Sequence, residues 1–127
     1  MRTVEYLSLS AAVAALDCII KANIKKPLIT KNRGFAHNRF DRYPKAVAAV
    51  SVLLSAGMFK GVVSGGKDAL GYSLILGGAL SNTYERVFKG YVTDYIRIGN
   101  TVYNISDFMI FAGALLLIIQ NLKEKEL

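Results

Sequence analysis

The 127-residue sequence has one cysteine, one histidine and only 9 acidic residues against 16 basic ones. With no second cysteine for Cys18, an intrachain disulfide scaffold is excluded. His37 stands in a basic segment without a Cys, His or carboxylate cluster at ligand spacing, so no metal site is expected. No Lys-Ser/Thr follows Gly77-Gly78 at the spacing a phosphate loop needs; close helix packing is the better reading. Internal repeats and low-complexity tracts are absent. So is the small residue that lipoprotein-type cleavage needs directly before a cysteine, because Asp17 occupies that place. The apolar N-terminal run is therefore expected to be retained, with Cys18 as a buried apolar residue.

What the chain does have is apolar residue, 53% of the total, together with a net charge of +7, a pI near 9.6 and a mean hydropathy of +0.34. Disorder is excluded by that hydrophobicity. A basic pI invites a nucleic-acid reading, but the charges lie mostly between the apolar segments rather than within them. Four stretches, roughly 4–24, 46–63, 69–88 and 105–122, each approach the ~20 helical residues that cross a hydrocarbon core about 30 Å thick. A soluble bundle would show polar faces at helical period, and these show almost none. The fold expected is an all-α membrane protein, one integral-membrane domain with four transmembrane helices. A few residues around Gly65 and Gly66 make the second and third helices antiparallel neighbours. The connections over 25–45 and 90–104 are long, and with four spans they lie on one side. Basic and aromatic, with Phe35, Phe40 and Tyr43, the first of these is expected to rest on anionic headgroups or substrate rather than nucleic acid.

Within the second long connection the period changes. Aromatic and β-branched residues flank Gly99-Asn100, the signature of a type II′ β-hairpin. Its register opposes Ile98 to Thr101, Arg97 to Val102, Ile96 to Tyr103, Tyr95 to Asn104 and Asp94 to Ile105. Asp94 and Asp107 then approach each other at the membrane surface. Two close carboxylates share a proton, so one can take a proton from water while the other polarises a carbonyl. Spacing alone leaves a second reading open, in which the two are separate and Asp107 simply caps the fourth helix.

At these residues the sequence resembles the lipoprotein signal peptidase family (signal peptidase II). The family pattern G-x-L-G-N-x-x-D-R-x-x-x-G-x-V-x-D-[FY], followed by F-N-x-A-D, is matched in spacing by GALSNTYERVFKGYVTDY from Gly78 to Tyr95 and YNISD from Tyr103 to Asp107. Asp17 and Lys21 match its D-x-x-x-K, and Asn32, Arg33, Gly34, Phe35 and Ala36 resemble its N-x-G-x-A. The resemblance implies a bacterial inner-membrane aspartyl endopeptidase. It would cleave diacylglyceryl-modified prolipoproteins N-terminal to the lipidated cysteine, without metal or cofactor. Asp94 and Asp107 would be the catalytic dyad, with Asn32, Asn82, Glu85, Arg86 and Asn104 supporting it or the scissile region. Asp17 and Lys21, four apart on one helix face, read as a mutually neutralising structural pair. Expected partners are the lipidated substrate and membrane phospholipid, with the protein monomeric.

Four residues depart from the pattern: Ser81 for Gly, Glu85 for Asp, Tyr103 for Phe and Ser106 for Ala. Ser81 adds bulk at a helix contact, and Glu85 adds a methylene beside the site. With the basic loop, Ser81 and Glu85 motivate an alternative, a non-catalytic scaffold that holds lipidated peptide or anionic lipid. Orientation is contested. The resemblance places both termini in the cytoplasm and the site near the outer face. Yet Arg2, Lys60, Lys67, Lys123 and Lys125 lie on the termini side against eleven basic residues on the other, opposite to the positive-inside bias. We take the orientation implied by the motif.

Overall fold

The computed structural model describes residues 2–35 and 39–125, so Ala36 and His37 lie outside the described residues. Helices α1 (Thr3–Asn23), α2 (Pro44–Val63), α3 (Ala69–Phe88) and α4 (Ile105–Lys125) coincide with the expected stretches to within three residues at each end. In the long connections lie strands β1 (Thr30–Asn32), β2 (Val92–Asp94), β3 (Ile96–Ile98) and β4 (Thr101–Tyr103). The protein is therefore mostly helical, with two small antiparallel sheets. α1, α2 and α4 are long and apolar enough to cross a membrane. α3 is less apolar because it carries Ser73, Ser81, Asn82, Thr83 and Glu85, and all five are buried. It packs against each of the other helices, which touch one another far less.

The interior is the reverse of a soluble core. Among the described residues, six apolar side chains are buried against fifteen polar or charged ones, while Leu16, Leu53, Phe59, Phe111 and Leu115 point outward. Such a distribution suits lipid as the surrounding solvent, where helices associate through close packing and hydrogen bonds rather than by expelling water. Gly78 provides the closest approach: a Cβ there would sit 2.4 Å from the Ser106 carbonyl oxygen and 2.8 Å from Ile110 Cγ1. The close packing expected at Gly77-Gly78 is thus found. Cys18 is not buried as expected but lies exposed on α1. In a protein whose apolar residues face outward, a thiol of apolar character belongs on that surface.

The β3–β4 hairpin has the expected register over Ile96↔Tyr103, Arg97↔Val102 and Ile98↔Thr101. Gly99 takes φ +62°, the conformation needed at the first central position of a II′ turn. The register does not continue to Tyr95–Asn104 and Asp94–Ile105. Instead Asp94 leaves the hairpin and pairs with Thr30, as β1 and β2 form a second sheet with Lys31↔Thr93 and Asn32↔Val92. That sheet joins the two long connections at one end of the bundle, as their common side requires.

Candidate active site

Asp94 ends β2 and Asp107 sits in the first turn of α4. Asn104 lies between them. Its side-chain amide donates to Asp94 Oδ1 at 3.0 Å and to Asn82 Oδ1 at 2.9 Å, while its backbone N–H donates to Asp107 Oδ2 at 2.9 Å. Asn104 Oδ1 in turn accepts from the Asp107 backbone N–H at 2.9 Å. This reciprocal pair is a capping box at the start of α4. Helix capping and carboxyl pairing, alternatives in the sequence, are here one arrangement. Asn82 completes it, donating from Nδ2 to Asp107 Oδ1 at 3.3 Å.

Asn32 reaches Asp94 from β1 with a side-chain hydrogen bond. The electrostatics of Asp94 follow from its surroundings. Burial, and then the charge of Asp107, raise its pKa to about 7; the Asn32 hydrogen bond and the positive charges of Lys21 and Arg86 oppose that rise only in part. A proton is therefore retained on the pair near neutral pH. Arg86 sits one turn beyond Asn82. Its guanidinium donates to Ser51 Oγ at 3.1 Å and to the Gly34 carbonyl at 3.4 Å, and it stacks on the Phe35 ring at 5.1 Å. A 250 Å³ cleft runs from Asp107, Asn82 and Arg86 down between α2, α3 and α4, walled by Leu54, Met58, Ile75 and Ile110. Its head is polar and its wall apolar.

Glu85 faces away from this cleft. It accepts from Lys21 Nζ at 2.6 Å, from the Thr93 backbone N–H at 3.1 Å and from Thr93 Oγ1 at 2.6 Å, so it holds β2 rather than touching the carboxyl pair. Asp17 and Lys21 form the expected ion pair at 3.0 Å. Lys21 also donates to Asn82 Oδ1 at 3.0 Å, which puts it two hydrogen bonds from Asp107, through Asn82. Sequence reasoning missed Ser51 and Thr93, and it treated Tyr95 only as a hairpin residue. For Ser51 the one available signal was helical spacing with Val47 and Ser55, which places all three on one face of α2.

Two carboxyls bridged by Asn104 in a helical bundle with an apolar exterior suit a membrane protein, and the fold is shared with solved structures. Two solved bacterial membrane enzymes, determined in meso at 2.3 and 1.9 Å, superpose with TM-scores of 0.80 and 0.77. They are 18% and 20% identical, and the superpositions cover 95% and 94% of this chain and 89% and 93% of theirs. The family model for signal peptidase (SPase) II matches residues 9–123, and the chain belongs to that peptidase family. A lipoprotein signal peptidase of Wigglesworthia glossinidia brevipalpis is 33% identical over 99 residues, covering 69% of this chain and 65% of that protein. One from Caldicellulosiruptor bescii is 50% identical over 54 residues, 42% of this chain and 36% of that protein. The matched stretches thus span less than two thirds of these relatives' own lengths.

Proposed function

We propose that the protein is a membrane aspartyl endopeptidase that removes signal peptides from diacylglyceryl-modified prolipoproteins, cutting N-terminal to the lipidated cysteine. The observation that carries this reading is Asn104 hydrogen-bonded to both Asp94 and Asp107, with Asp107 lining the head of an apolar cleft. With one proton shared by the pair, the ionised carboxylate takes a proton from water as its oxygen attacks the scissile carbonyl carbon. The protonated carboxyl polarises and protonates the carbonyl oxygen. The tetrahedral diol collapses, the C–N bond breaks, and a carboxyl proton passes to the departing amine. Acid and base are properties of the coupled pair and are not divided between its members. Arg86, held by Ser51, Gly34 and Phe35, orients the backbone of the scissile region. The acyl chains lie along Leu54, Met58 and Ile110.

In this reading all four helices cross the inner membrane as one monomeric domain, with α3 admitted because α1, α2 and α4 enclose its polar residues. Both termini are cytoplasmic, and the sheets sit at the outer face. The exposed Phe40 and Tyr43, with Arg39, Arg42 and Lys45 beside them, rest on phospholipid headgroups. Ser81 and Glu85, which with the basic loop motivate a non-catalytic scaffold, are both buried and do not line the cleft, which disfavours that alternative. The test is cleavage of a synthetic diacylglyceryl lipopeptide by purified protein beside Asp94→Asn and Asp107→Asn. The wild type cleaves, and each variant loses roughly 10²- to 10⁴-fold, the usual contribution of acid–base catalysis. An inert wild type, or variants of equal activity, refutes the proposal. For the orientation, a reporter fused after Leu127 must stay on the cytoplasmic side.

A further inference from the structure

The departures Ser81, Glu85 and Ser106 converge on one buried cluster. Asp17 Oδ2 accepts from Ser106 Oγ at 2.5 Å, Ser81 Oγ at 2.9 Å and Lys21 Nζ at 3.0 Å. Asp17 Oδ1 accepts from the Tyr95 hydroxyl at 2.6 Å. That phenol oxygen also accepts the backbone N–H of Ile105 at 3.1 Å. Tyr95 directly follows Asp94, while Ile105 and Ser106 lie between Asn104 and Asp107. One hydroxyl therefore ties the residue after the first carboxyl to the turn that carries the second, and anchors both on a wholly buried carboxylate of α1.

We propose that Tyr95 is a positioning residue for the Asp94–Asp107 pair, acting through Asp17 and seconded by Ser106. The inference rests on the aspartyl reading only for its kinetic consequence. Donor and acceptor roles follow from chemistry. The phenol has one proton, which goes to the carboxylate, and its lone pair remains for the Ile105 N–H. Burial, and then the hydrogen bond to Asp17, hold the Tyr95 hydroxyl protonated well above its ordinary range, so the clamp persists across working pH. Around Asp94 stand Asp107 from α4, Lys21 from α1, Arg86 from α3 and Asn32 from β1. A slackened clamp separates Asp94 from Asp107 and admits water between them.

The experiment uses the full chain in nanodiscs with Tyr95→Phe, Ser106→Ala and the double variant. The family pattern takes Phe at the first position and Ala at the second, so both substitutions are conservative ones for the fold. Tyr95→Phe lowers kcat on a diacylglyceryl lipopeptide roughly 10- to 100-fold, the scale of an ångström-sized misplacement. KM stays within about twofold, because what is lost is made in the transition state. The double variant loses less than the product of the single losses, because both act through Asp17. Independently of turnover, the Asp94 carboxyl, followed by ¹³C NMR, titrates at least about half a pH unit lower in Tyr95→Phe as burial and the Asp107 charge relax. Unchanged kcat with an unchanged titration overturns the proposal. So do losses that simply multiply, or lowered thermal stability with undiminished kcat per folded molecule. If the wild type does not cleave, the protease reading fails by itself, and the titration alone decides the role of Tyr95. If Tyr95→Phe does not fold, Ser106→Ala must show the same directions.

Discussion

Replacing Asp94 with asparagine impairs the proposed chemistry and stabilises the protein, and the size of that stabilisation depends on pH. In the unfolded chain the carboxyl has its ordinary pKa of 3.8; in the folded protein the value is about 7. The difference of about 3 pH units, at 1.36 kcal/mol each, makes ionised Asp94 unfavourable by about 4 kcal/mol. The sign follows from proton counts. Below pH 4 both states hold the proton and nothing is lost. Between about 4 and 7 the folded state binds the extra proton, so stability falls as pH rises and levels off above about 7. Asparagine mimics the protonated carboxyl: its oxygen still accepts from Asn104 Nδ2, and its amide group turns toward Asp107. Asp94→Asn is therefore more stable than the wild type by about 2–4 kcal/mol at pH 8, with the gain gone by pH 4. Denaturation by sodium dodecyl sulfate in mixed micelles at pH 4, 6 and 8 measures the difference. A variant less stable at pH 8, or a difference independent of pH, refutes the electrostatic account of the pair.

The same retained proton sets the alkaline side of activity: kcat of the wild type on a lipopeptide declines as pH rises through about 7, when the shared proton is lost. Lys21→Met strands Asp17 and Glu85 in the interior and destabilises by about 3–5 kcal/mol. Adding Glu85→Gln restores part of that in the same denaturation assay, and no restoration would mean that Lys21 serves packing alone. Gly78→Ala brings a methyl against the Ser106 carbonyl and costs about 1–3 kcal/mol. It also lowers kcat, because Ser106 adjoins Asp107; an alanine without effect on stability would contradict the close contact of α3 with α4.

The helices were legible because a run of ~20 apolar residues has few other uses, and the hairpin because Gly99-Asn100 marks its turn. The approach of the aspartates was foreseen, yet not by the route the chain takes. β1 has the sequence Thr-Lys-Asn, with no apolar alternation to mark a strand, and it forms because the bundle brings it beside β2. Without that pairing in view, Asp94 was assigned to the wrong partner. Ser81 and Ser106 stood out only as departures, since the carboxylate that gives them purpose lies 64 and 89 positions away. Cys18 was misplaced for a general reason: inside and outside exchange their usual composition when the solvent is hydrocarbon.

The central position of α3 has a consequence for how such a protein is made. α1 and α2 touch each other little, so their mutual placement waits for the third helix to emerge. During that wait α1 holds a carboxylate and an ammonium with neither Ser81, Asn82 nor Glu85 yet present. The one-turn spacing of Asp17 and Lys21 lets the helix enter lipid as a neutral unit before its partners exist. When α3 arrives, too polar to lodge comfortably alone, Lys21 is waiting for Glu85. Recruitment of the helix that carries Asn82 and assembly of the proposed catalytic centre then become a single event in biogenesis.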